Sequence, residues 1–225
     1  MDLSPLFLSL KVACIATTIV FITGTLAARW ITRKLFPGKS ILESLLLLPL
    51  VLPPTVIGFG LLYLFGRNGW IGQLLMEWFG VQIVFSWTGA VIASAVVSFP
   101  LMYQSAAAAF QNYNVDLEDA AFTMGASKRK VFFSISFPLA WPGLLAGLVM
   151  TFARSLGEFG ATLMIAGYIP GKTDTIPLAI YFAVEANRME EALMWVMIIL
   201  SLGFSAVLWL NTWSRRKINM IKNLS

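Results

Sequence analysis

From residue 78 to residue 115 this chain carries no charged side chain, and comparable uncharged runs cover 44–66, 131–153 and 192–213. A helix needs roughly 20 consecutive apolar residues to cross the hydrocarbon core of a bilayer, so runs of this length leave few other folds open. Charged residues are 12% of the chain, against about 25% in an ordinary soluble domain, and this makes it an integral membrane protein. The runs are continuously apolar rather than alternating, which disfavours a β-barrel.

Gaps between charges place spans at about 6–28, 44–66, 88–110, 138–153 and 192–213. The segment 159–184 is also apolar, but Pro170, Lys172, Asp174 and Pro177 interrupt it. It reads either as a broken helix with an outward loop or as a sixth span. The expected fold is an all-α integral membrane protein of five to six transmembrane helices, one domain over 1–225.

Orientation follows from the basic residues. With five spans, one side holds Arg29, Arg33, Lys34, Lys39, Lys128, Arg129, Lys130, Arg215, Arg216, Lys217 and Lys222, eleven of the sixteen lysines and arginines. That side is expected to be cytoplasmic, with the amino terminus outside and the carboxyl terminus inside. The net charge of +5 then follows from topology and calls for no nucleic acid. The first apolar run is longer than a signal-peptide core and no positive charge precedes Lys11, so a retained span is expected rather than a cleaved leader.

The chain has one cysteine, Cys14, inside an apolar run where packing is its expected role, and no histidine. A disulfide framework, a thiol–imidazole pair, a zinc site and a histidine proton relay are therefore excluded within it. Gly171-Lys172-Thr173 resembles the tail of a phosphate-binding loop, but the glycine required five residues earlier is Ala166, so no ATP site is expected here. No metal and no cofactor are expected on this chain.

A short polar island, 117–138, separates two of the apolar runs. Leu117, Ala120 or Ala121 and Met124 recur at helical spacing, and Gly125 suits a left-handed helix end. Ser127 can cap a second short helix bearing Lys128, Arg129 and Lys130, and Pro138 suits the first turn of the next span. On these residues alone the island is as readily an ordinary cytoplasmic loop as a docking element.

Two intramembrane features have similar double readings. Pro49, Pro53, Pro54 and Gly58 interrupt the second span, either as a kink at a packing contact or as part of a route that shifts during gating. Arg154 and Glu158 are four residues apart and can pair on one helix face, stabilising the turn at Gly157 and Gly160. Alternatively Arg154 offers a counter-charge to a passing anion, with Ser155 and Thr162 as weak polar lining. Gly143 and Gly147 form a small-xxx-small pair suited to close helix packing.

The spacing Asp119-Ala120-Ala121, three residues, Gly125, nine residues, Ile135, one residue, Phe137-Pro138 resembles the EAA loop of ABC importer permeases. Asp119 stands where that pattern has glutamate, with Glu118 just before it, and Phe137 stands for leucine. Phe36-Pro37-Gly38-Lys39, the run 48–54 with Gly58, Phe85-Ser86-Trp87, 98–101, 152–162 and 169–177 are similar to the molybdate, sulfate and tungstate branch. The resemblance implies a type I permease fold and a cytoplasmic coupling loop at 115–137, where Glu118, Asp119, Ala120, Ala121, Gly125, Lys128 and Arg129 meet an ATP-binding subunit. It further implies a homodimer moving a tetrahedral oxyanion, molybdate first, by alternating access. Two ATP-binding subunits would carry ATP and magnesium, and an outside oxyanion-binding protein would deliver substrate. Candidates for the route or gate are Pro53, Pro54, Arg154, Ser155, Glu158 and Thr162. The rival readings are a self-sufficient secondary transporter or channel, and a membrane enzyme, for which the residue inventory offers few tools.

Overall fold

The structure, a computed structural model, describes the backbone of residues 3–222 and the side chains of 3–209 and 212. Asp2 lies outside the described residues, and Arg215, Arg216, Lys217 and Lys222 outside the described side chains. All regular structure among the described residues is helical: α1 (Ser4–Thr32), α2 (Lys39–Val51), α3 (Pro54–Phe65), α4 (Trp70–Phe79), α5 (Trp87–Gln111), α6 (Asp116–Thr123), α7 (Lys128–Val131), α8 (Phe137–Leu156), α9 (Gly160–Ala166), α10 (Ile176–Glu185) and α11 (Met189–Lys222).

Among the described residues four helical stretches are long and apolar enough to cross a membrane: Ser4–Thr32, Trp87–Gln111, Lys128–Leu156 and Met189–Trp209. The expected second span is different. Leu52 precedes Pro53 and is extended (ψ 143°), as the proline ring demands of its neighbour, and the chain turns by 113° between α2 and α3. The segment 44–66 is thus two short helices meeting at an elbow, not one kinked rod; counted as one span, the pair brings the total to five.

Pro138 lies in the first turn of α8, as expected, where its missing amide costs little. The stretch before it is more continuous than expected. The chain continues from α7 through a π-helical turn, Phe132–Ser136, into α8, so the basic cluster rides on the same rod as the membrane span. In 159–184 the structure has two short helices, α9 and α10, joined by an irregular loop. At about 1.5 Å per residue neither is long enough to cross alone.

The centre is a packed triplet of α1, α5 and α8. Between apolar lipid and apolar side chains there is little hydrophobic drive, so close fit decides. Ala13, Ala16, Ala28, Ala90, Ala93 and Ala106 are fully buried at these contacts. A Cβ on Gly143 would lie 2.6 Å from Ala109, and one on Gly147 would lie 2.7 Å from Ser105, so α8 meets α5 through glycine. Lys11 is accommodated on α1 by the Trp87 ring, 3.8 Å from its ammonium. Cys14 was expected to be packed, but it is on an exposed face of α1.

Polar contacts pin the other end of α1. The Ser9 hydroxyl accepts from the Ile176 N–H at 2.7 Å, filling one of the unpaired donors that open α10, and the Ser4 hydroxyl donates to Asp174 at 2.7 Å.

Candidate functional site

The island folds as a helix–turn–helix joint at the end of α5. The Asn114 side chain accepts from the Asp116 N–H at 2.9 Å and opens α6, whose first turn gathers Asp116, Glu118 and Asp119 where the helix dipole favours anions. α6 is closed by Gly125 at φ +81°. Ala126 N–H reaches the Ala121 carbonyl at 3.0 Å and Gly125 N–H reaches that of Phe122 at 2.9 Å, the paired bonds of a Schellman ending. Ser127 accepts from the Lys130 N–H at 3.4 Å and starts α7.

The outer surface of this joint is open. Met124 is 88% exposed and Leu117, Phe122 and Phe133 are also exposed, beside charged Asp116, Asp119, Lys128 and Arg129. Next to Met124 lies a recess of about 520 Å³ lined by Ala121, Gly125, Lys130, Val131 and Ser134. An apolar knob and recess at the tip of a charged loop make a surface suited to a protein partner.

Glu118 faces the other way. It is 3% exposed, with Oε2 at 2.9 Å from Arg29 and Oε1 at 2.8 Å from Arg33. Ser136 donates to it at 2.5 Å from the π-helical turn, and Tyr113 donates to it as well. The Tyr113 hydroxyl in turn accepts from Arg29 at 2.8 Å and Arg33 at 2.7 Å. Burial pushes this carboxyl up, but the hydrogen bonds from Arg29, Ser136 and Tyr113 and the charge of Arg29 outweigh it and hold the pKa at about 2.

Of the loop residues singled out in the sequence, Asp119, Ala120, Gly125, Lys128 and Arg129 are therefore exposed, Ala121 lines the recess, and Glu118 is internal. Arg29, Arg33, Tyr113 and Ser136 were not singled out as functional. The only sequence signal was two arginines four apart at the end of a span.

The membrane-embedded candidates form a second cluster, where the α2–α3 elbow meets the break between α8 and α9. A Cβ on Gly160 would lie 3.2 Å from Pro54 and 3.3 Å from Thr55, and one on Gly58 would lie 2.7 Å from the Ala161 Cα. Arg154 Nη1 is 2.7 Å from Glu158 Oε2, and Glu158 Oε1 accepts from the Ala161 N–H at 2.8 Å, so one carboxylate pairs with α8 and caps α9. Ser155 donates to Ser98 at 3.1 Å in the interior, and Thr162 is buried. Open surface at this cluster includes Pro53, Thr55, part of Pro54 and the Arg154 side chain, which is 32% exposed. Among the described residues no group of three or more histidine, cysteine, aspartate or glutamate side chains is arranged to hold a metal.

A family profile described as "Binding-protein-dependent transport system inner membrane component" matches residues 15–219. The chain is 52% identical over 202 residues to the putative molybdenum transport system permease protein YvgM of Bacillus subtilis, covering 89% of this chain and 88% of the relative. It is 49% identical over 184 residues to the molybdenum transport system permease protein ModB of Escherichia coli K12, covering 82% and 80%. Among solved structures, a bacterial ABC transporter involved in import of the acidic polysaccharide alginate superposes with a TM-score of 0.75 at 18% identity, over 95% of this chain and 79% of that one; this likeness concerns the fold.

Proposed function

The chain belongs to the family of binding-protein-dependent transport system inner membrane components, and on that premise we propose that it is the molybdate-conducting half of an ATP-driven importer. It is a multi-pass permease subunit of the inner membrane and not itself a catalyst. The observation that carries the proposal is the α6–α7 joint: a rigid turn at Gly125 presents exposed Met124 beside a recess, on a rod that runs directly into α8.

An ATP-binding subunit, with its ATP and magnesium, seats on that joint, which occupies the cytoplasmic side together with the carboxyl terminus. A second copy of this chain completes the pathway. α2 packs Leu42, Leu46 and Leu47 against its own chain and leaves Ile41, Leu45, Leu48, Leu50 and Val51 exposed, a face open to that copy or to lipid. An outside oxyanion-binding protein delivers the substrate to the opposite end. ATP acts by favouring one of two arrangements of the pair over the other, and this alone is enough to alternate access.

The path runs past the elbow, where Pro53, Pro54 and Arg154 border the open side and Ser155, Glu158 and Thr162 shape it from behind. Glu158 neutralises Arg154, so a dianion meets a tempered charge and is not trapped. Molybdate is favoured over sulfate or tungstate by the names of the two relatives. The test is uptake of labelled molybdate into vesicles holding this chain and the binding protein, with and without the ATP-binding partner, in competition with sulfate and tungstate. Uptake that needs the partner and ATP, and yields least to sulfate, is expected. Uptake driven by an ion gradient without the partner contradicts the reading.

A further inference from the structure

The docking joint is tied by the chain itself to only two helices, α5 before it and α8 after it. α1 ends 84 residues before Asp116 in sequence, yet its basic end is fastened to the joint through side chains alone. We infer that Glu118 is a latch, with Arg29 and Arg33 as its positioning residues, that carries movement of the docking joint into α1. This rests on the proposed docking of an ATP-binding subunit at that joint.

Four observations converge. Glu118 is the one acidic residue of α6 that is buried, whereas Asp116 and Asp119 on the same turn are exposed, so it is not part of the outer surface. Its two oxygens are shared among groups from three places: Arg29 in the last turn of α1 with Arg33 capping its end, Tyr113 of the α5–α6 turn, and Ser136 of the π-helical turn. The Tyr113 hydroxyl bridges the same two arginines, so the three meet at one point, and its ring lies 5.4 Å from the Arg33 guanidinium. Finally, the arginines carry one charge more than the carboxylate balances, so removing Glu118 leaves two partly buried cations facing each other across Tyr113.

α1 is a suitable receiver. It is a single helix of 29 residues, about 43 Å long, and no proline interrupts it after Pro5. Its far end bonds Asp174 and the start of α10. A displacement at the joint therefore has a continuous path to the opposite face of the subunit, entered through the side chains of the latch and left through the contacts of Ser4 and Ser9.

The experiment uses the full complex of this chain, its ATP-binding partner and the binding protein in proteoliposomes, reading molybdate taken up per ATP hydrolysed. Arg29→Lys with Arg33→Lys keeps both charges but loses the planar forks that reach Tyr113 and Glu118 together. It is expected to retain the partner on purification while uptake per ATP falls at least fivefold, and Glu118→Gln is expected to lower the same ratio further. Unchanged uptake per ATP in the double lysine variant overturns the latch. So does loss of the partner from Glu118→Gln alongside full coupling in the lysine variant, because Glu118 would then belong to the docking surface. Should Glu118→Gln fail to accumulate, the lysine variant decides alone. The docking proposal is read separately, from retention of the partner by Gly125→Asp: if that variant keeps its partner, docking fails whatever the latch variants do.

Discussion

Two arginine–glutamate contacts stand near opposite ends of the continuous helix Lys128–Leu156, and they are built on different principles. Arg154 and Glu158 are four residues apart and serve one local junction, the passage from α8 to α9. Glu118 and its arginines are 85 and 89 residues apart and join three elements that the backbone leaves separate. A local pair shapes the element that carries it. A distant one fastens elements that the backbone leaves separate; the second stands beside the proposed docking joint and the first beside the break between α8 and α9.

The comparison can be broken most severely at Gly125, which lies outside both networks. Gly125→Asp adds a Cβ at φ +81°, costing roughly 1–2 kcal/mol, and puts a charge against the recess. Partner co-purification and uptake should both drop to background with both ion pairs intact; normal uptake would mean the joint is not the docking site. Next in size is the contrast between Glu118→Gln and Glu158→Gln. The first should show mainly as lost uptake per ATP. The second should show first as lower thermal stability of the extracted protein, by about 1 kcal/mol, because the ion pair to Arg154 is lost and the cap of α9 keeps only an uncharged acceptor. If the two variants gave the same pattern, the distinction between local and distant pairs would fall.

The smallest expected effect is with pH. Glu118 is lowered from 4.5 to about 2, so its contribution is complete above pH 4.5 and is lost only as pH falls through about 2. Uptake per ATP, corrected for ATPase rate, should stay level between pH 8 and pH 5. A loss centred near pH 6 would mean that the latch carboxylate is not held by its arginines.

Much of this was legible in the sequence wherever the determinant is local. The uncharged runs predict four of the crossing helices, Gly125 predicts the left-handed ending, Ser127 predicts the start of α7, and the spacing of Arg154 and Glu158 predicts their pair. Three features were not legible. The proline pair at 53 and 54 announces an interruption but not its size, because the 113° turn is fixed by what α3 meets, namely Gly160 and Ala161 of α9. α4, with exposed Trp70, Trp78 and Phe79 as on an interfacial helix, lies mostly in the gap between two uncharged runs, where no element was expected. The inward turn of Glu118 depends on Arg29, Arg33, Tyr113 and Ser136, whose spacing follows no single period. Its neighbours Asp116 and Asp119 look the same in sequence, and only the assembled fold separates them.

The most direct test of docking at the α6–α7 joint uses the scarcity of cysteine. In a Cys14→Ser background, Met124→Cys and Arg154→Cys are each labelled with a benzophenone and irradiated in the assembled complex with the ATP-binding partner. A cross-link from position 124 to that partner, and none from position 154, is expected. A cross-link to the partner from position 154, or none from a fully labelled position 124, would contradict it.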